Sequence, residues 1–143
     1  LNSVRLEVDG ELGMRVELTP HGEGEGLPSC PGLFRTTPHP DWRGMGEIQA
    51  AIFWPGDGSA VMALRIDDQE GNPAYADRFQ KEFTVTQGWS RVQIPRSEWG
   101  WTSGGQPMHV EAIRQWGVFL VSAQAFDYFA LGTVKLEPVE ERP

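Results

Sequence analysis

The sequence predicts an all-β chain, folded as a two-sheet antiparallel β-sandwich. Three observations carry this expectation. Apolar and polar residues alternate with period two in about eight short segments, the pattern of strands with one buried face. Between them stand 17 glycines and 11 prolines, the residues that supply turns. No segment carries the broad apolar stripe of a long amphipathic helix. Each such strand needs cover on one side, and two sheets facing each other provide it together.

The elements follow in order. Val4, Leu6 and Val8 alternate with Arg5 and Glu7, Asp9-Gly10 is a turn signal, and Leu12, Met14, Val16 and Leu18 alternate again. Residues 4–18 therefore predict a hairpin with one wet face. Residues 19–46 predict a long loop, holding Gly-Glu-Gly-Glu-Gly at 22–26 and then Pro28, Pro31, Pro38 and Pro40. A loop of that length usually works or wraps the fold. Further strands are expected at 47–54, 61–67, 79–86, 89–94, 114–121 and 128–136. Pro55-Gly56-Asp57-Gly58 is a tight turn between the first two, and Gln87-Gly88 turns another pair. Ser97 is placed to cap one helical turn carrying Glu98 and Trp99, and residues 108–114 allow a second. The 143 residues suit one domain, expected over 1–137 with a frayed charged tail at 138–143.

Charge narrows the partners. Twelve basic against twenty acidic residues leave a net charge of −8, which repels phosphate backbones and anionic lipid. No nucleic acid is expected, while sugars and other proteins stay open. Cys30 stands alone, so no internal disulfide forms and the redox compartment is undecided. The longest apolar run, residues 116–123, falls far short of the roughly 20 residues of a membrane span. No membrane insertion by this chain is expected. It opens on Leu1, as a piece of a longer polypeptide would. Nothing in the sequence sets an oligomeric state.

Several phrases occur together in order. Pro31-Gly32-Leu33-Phe34 precedes Asp41-Trp42-Arg43-Gly44, then Leu64-Arg65-Ile66-Asp67-Asp68 and Tyr75-Ala76-Asp77-Arg78-Phe79. Gly88-Trp89-Ser90-Arg91-Val92-Gln93-Ile94-Pro95 and Phe129-Ala130-Leu131-Gly132-Thr133-Val134-Lys135-Leu136 complete the set. Over residues 31–137 this order resembles the galactose-binding-like jelly rolls, which include many carbohydrate-binding modules. It is similar in particular to the domain that follows the membrane part of some bacterial VanZ-like proteins. The resemblance implies a jelly-roll sandwich, an extracytoplasmic location and a glycan as partner. Members often end on a strand whose aspartate helps hold a structural calcium. Here that position is Gly132, so no metal or other cofactor is expected.

Catalytic signatures are missing. His21, His39 and His109 share no zinc spacing, and solvated loop positions explain them. There is no Gly-Xaa-Ser-Xaa-Gly elbow, and glutamates interrupt the Gly22–Gly26 run where a phosphate loop would need amides. Asp67 and Asp68 are adjacent on a strand, so their side chains point to opposite faces and cannot work on one glycosidic bond. Asp68 is expected to pair with Arg78 and tie the loop 68–78 to the sheet, with Tyr75 packed over it. No enzyme is expected.

Binding is the better-supported expectation. Six tryptophans are many for this length, and sugars pack C–H groups on aromatic faces. Trp42, Trp89 and Trp116 read as core. Trp54 at a strand end is open, and Trp99 and Trp101 lie in a Gly/Ser-rich loop as a candidate exposed platform. Alternation selects a polar stripe of Gln49, Arg65, Asp67, Arg91, Gln93 and Gln115, which line one outer face if their strands share a sheet. Trp54, Trp99 and Trp101 for rings, with Arg65, Asp67, Arg91 and Gln93 for hydroxyls, form the candidate ligand site. A non-catalytic module for oligosaccharide or polysaccharide is the first expectation. The alternative is a structural or protein-interaction sandwich domain of a larger extracytoplasmic or membrane-anchored protein.

Overall fold

The computed structural model of the chain describes residues 4–7, 14–17, 32–37, 40–69, 71, 73–122 and 128–139. Among these, nine strands form two antiparallel sheets. Helix is confined to one turn of α1 (Arg96–Trp99) and a 3-10 turn at Tyr75–Asp77. In the first sheet β1 (Val4–Glu7), β9 (Tyr128–Pro138), β4 (Met45–Trp54) and β7 (Gly88–Ile94) lie side by side, and β2 (Met14–Glu17) also pairs with β9. In the second the order is β3 (Gly32–Thr36), β8 (Gln115–Ser122), β5 (Ala60–Asp67) and β6 (Phe79–Val85). The all-β antiparallel sandwich expected from alternation is the fold observed.

The strands are where alternation puts them, but several partners differ. β1 and β2 do not form a hairpin. β1 runs along Val134–Leu136 of β9 and β2 along Tyr128–Leu131, both antiparallel. The eleven residues of β9 offer room for both, and ladder bonds reward any antiparallel partner equally. Pro55–Gly58 and Gln87-Gly88 do not close hairpins either, since β4 and β7 belong to the first sheet and β5 and β6 to the second. These turns carry the chain across the sandwich. Within the expected long loop lies β3, an edge strand paired with Gln115–Phe119 of β8. Pro31 and Pro38 beside it masked its short run, because proline interrupts a ladder. At the other end β9 continues to Pro138, and Val139 N–H donates to Gly44 O at 2.7 Å, so the strand outruns the expected boundary at 137.

The core follows the alternation. In β4, Ile48, Ala50, Ile52 and Trp54 are buried while Gln49, Ala51 and Phe53 face out. Met62, Leu64 and Ile66 of β5 and Trp116 and Val118 of β8 face them from the second sheet. The α1 turn starts at Pro95, which has extended backbone angles and gives no side-chain cap; Ser97 is not the cap. Its purpose is Trp99, fully buried, edge-on to Trp42 at 5.5 Å and donating its indole N–H to Gly46 O at 2.6 Å. Residues 108–114 make turns, with Ala112 N–H to His109 O at 2.9 Å, and no second helix.

Candidate functional site

The outer face of the second sheet brings a row of side chains together. Strand register aligns Phe34, Gly117, Arg65 and Gln80 across β3, β8, β5 and β6. The next row holds Thr36, Gln115 and Asp67. Arg65, Asp67, Gln115 and Gly117 alternate with the core residues Leu64, Ile66, Trp116 and Val118, so the sheet itself points them away from the interior. Gly117 has no side chain because Phe34 lies over it: a Cβ there would stand 2.2 Å from the Phe34 ring. That ring stacks on Phe119 at 5.7 Å and remains 42% exposed.

A charged network fills the middle of the face. Asp67 is fully buried and accepts from Arg65 Nε at 2.8 Å and Arg65 Nη2 at 2.9 Å, a two-pronged pair. Gln115 donates to the same carboxylate and to Gly71 O. Arg65 also lies 5.8 Å from the Phe34 ring centre. On the far side Arg78, just before β6, donates to Gln80 Oε1 at 3.1 Å and to Pro73 O at 2.8 Å. Its guanidinium sits 5.7 Å from the centre of Tyr75, whose ring is 57% exposed. Burial and then the neighbouring Arg65 cation lower the Arg78 pKa, against the pull of Asp67 and Tyr75. Two exposed rings thus flank a set of donors and acceptors held by one another.

This arrangement corrects the expected Asp68–Arg78 tie. Asp68 instead accepts from the His109 backbone N–H at 2.8 Å, on the other side of the strand. Asp67 takes Arg65 because residues two apart on a strand share a face. Tyr75 is not packed down over the loop but stands against Arg78.

The other candidate residues are dispersed. Trp54 and Trp99 are fully buried and supply core, not a platform; their rings are the largest apolar surfaces near a strand end and a tight turn, and burial wins. Trp101 is 49% exposed and borders an open groove of about 710 Å³ with Pro95, Arg96, Pro107 and Val139. Arg91 and Gln93 are exposed on β7, in the first sheet, facing away from Arg65 and Asp67. With Gln49 they line the opposite side of the sandwich, so the polar stripe is two stripes. There Trp89, expected in the core, is 54% exposed and leans on Phe53 at 5.5 Å. Its indole lies over Gly132, where a Cβ would be 3.1 Å from it. The carboxylate that the resemblance would put at this position is absent, and any side chain there would press on this ring, so Gly132 does not fit the calcium site that the resemblance implies. Among the described residues no three His, Cys, Asp or Glu side chains cluster. None of the helices among them is long and apolar enough to cross a membrane.

Sequence reasoning missed Phe34, Tyr75 and Arg78 as site residues. Phe34 was hidden in the proline-rich stretch. Tyr75 and Arg78 lie outside any alternating run; Arg78 comes near Arg65 because it leads into β6, which pairs with β5, and Tyr75 stands against Arg78.

No protein-family model matches the chain, and no curated protein does. Solved structures do. The family 11 carbohydrate-binding module of Clostridium thermocellum, in complex with a β-1,3-1,4-mixed-linked tetrasaccharide, aligns with a TM-score of 0.56 at 15% identity, covering 99% of each chain. The family 11 module of a cellulosomal cellulase of Clostridium thermocellum gives 0.53 at 16% identity over 99% of this chain and 91% of that one. An exo-β-agarase gives 0.63 at 15% identity over 99% of this chain, which spans 24% of the agarase. The chain shares the jelly-roll fold of these modules. At such identity the likeness speaks to fold and carries no residue's role.

Proposed function

We propose that the chain is a non-catalytic glycan-binding module whose ligand lies across the outer face of the second sheet, between Phe34 and Tyr75. One observation carries the reading: two exposed rings, each beside a guanidinium, with Phe34 next to the Arg65–Asp67 pair and Tyr75 next to Arg78. Sugars offer apolar C–H faces and many hydroxyls, so a site for them needs flat rings and oriented polar groups. Asp67 is committed to Arg65 and Gln115, which suits recognition and not proton transfer. The fold of carbohydrate-binding modules supports the reading, and the resemblance to domains following VanZ-like membrane parts supports an extracytoplasmic place. The test is affinity electrophoresis through gels containing mixed-linkage β-glucan, agarose or polyuronates. Retardation of the parent domain is expected on at least one gel, with loss in the Phe34→Ala/Tyr75→Ala double variant at an unchanged unfolding midpoint. Free migration of the parent on every gel would refute the reading.

A second reading, a structural or protein-interaction domain, rests on Trp89 exposed beside Phe53 on the opposite face. It predicts that no polysaccharide retards the domain.

A further inference from the structure

Around Arg78 the described charges are not paired one to one. Two guanidiniums, Arg65 and Arg78, stand beside one buried carboxylate, Asp67. Arg65 is paired with that carboxylate, at 2.8 Å. Arg78 is bonded only to neutral acceptors, Gln80 Oε1 and Pro73 O, and no carboxylate of the described residues reaches it. The exposed acids nearest in sequence and along β6, Asp77 and Glu82, are not paired with it. A guanidinium has five N–H donors in a fixed fork. Nε and Nη1 spend one each on Gln80 and Pro73, and the remaining donors meet no acceptor among the described residues. The cation is also partly buried, and Arg65 repels it, so an anion placed there would offset both effects.

We propose that the glycan bound here is anionic, a polysaccharide of uronate residues, and that Arg78 receives the uronate carboxylate while Tyr75 packs against the sugar ring. This deepens the glycan-binding reading and rests on it. A carboxylate matches the free edge of the fork, with two parallel N–H···O bonds. Tyr75 is fixed beside that edge by its contact with Arg78, so ring and charge reach the same sugar unit. The net charge of −8 opposes a polyanion at long range. At physiological salt, screening shortens that repulsion to about 8 Å, and the short-range fork decides.

The experiment compares gels containing polygalacturonate or alginate with gels containing neutral mixed-linkage β-glucan or sulfated carrageenan. The parent domain should be retarded by a polyuronate and less, or not at all, by the other two. Arg78→Gln keeps an amide donor but no fork or charge, and should weaken polyuronate affinity about 10- to 100-fold, the loss expected for a charged hydrogen bond. Arg78→Lys keeps the charge without the fork and should recover only part of it. Unfolding midpoints of both variants, read by tryptophan fluorescence, separate lost binding from lost structure. Retardation by neutral glucan that is indifferent to Arg78→Gln would overturn the anionic assignment and leave the glycan reading standing. Retardation by carrageenan alone would overturn the carboxylate assignment. Free migration on every gel would remove both readings together.

Discussion

Two glycines each make room for a ring that lies flat on a sheet. At Gly117 the ring is Phe34, and at Gly132 it is Trp89. The clearances differ: a Cβ at 117 would lie 2.2 Å from Phe34, well inside any real contact, while one at 132 would be 3.1 Å from Trp89. Gly117→Ala should therefore lift Phe34 off β8 and cut glycan affinity as Phe34→Ala does, which a paired titration checks. Asp67 is a different kind of dependence. It neutralises a nearly buried Arg65, and removing one member of such a pair leaves the other charge uncompensated. Asp67→Ala should lower the unfolding free energy by about 3–5 kcal/mol in urea titrations. Asp41 shows the surface counterpart. Its pKa is lowered to about 2 by hydrogen bonds from the Arg43 side chain and backbone N–H. A carboxylate depressed on folding stabilises the fold above its ordinary value of 3.8 and loses that contribution as pH falls from there through 2. The pair is exposed, so a nuclear magnetic resonance titration of Asp41 should show the low midpoint while stability hardly responds.

At the scale of elements, strand positions were legible and strand partners were not. Alternation marks which residues of a strand face in, as β4 and β7 show most clearly. It carries no information on the neighbour, so the expected β1–β2 hairpin did not form, and the turns at 55–58 and 87–88 gave no sign that they cross from one sheet to the other. Helix α1 illustrates a local signal overridden. Its Gly/Ser-rich surroundings read as an exposed loop, yet the single turn serves to drive Trp99 beneath β4. The buried ring meets Trp42 edge-on, and its N–H satisfies Gly46 O. Trp99→Ala should cost about 3–5 kcal/mol in denaturant unfolding, in the range for truncating a buried aromatic. Trp101→Ala, two residues on and half-exposed, should cost under about 1 kcal/mol, as surface changes do. Equal costs for the two would mean that α1 does not anchor the core through Trp99.

The whole molecule decides which site candidates act together. Arg65, Asp67, Arg91 and Gln93 all read as outward-facing from sequence, and all do face outward. They belong to different sheets, a fact of topology that no single strand's pattern encodes. Packed sheets stand about 10 Å apart, and the outward groups add their own length on each side. The two faces therefore lie beyond the range at which substitutions usually couple, and each should answer alone. Between them sits a core with four fully buried tryptophans. The prediction is that Trp89→Ala, Arg91→Ala and Gln93→Ala, separately or combined, leave polysaccharide affinity within about twofold of the parent, since additivity holds at such separation. Tyr75→Ala and Arg78→Gln should lower it. Isothermal titration of both sets against the retarding polysaccharide reads the difference directly. The opposite ranking, with the β7 variants losing affinity and the Tyr75 and Arg78 variants keeping it, would move the binding face to the first sheet and make Trp89 its platform.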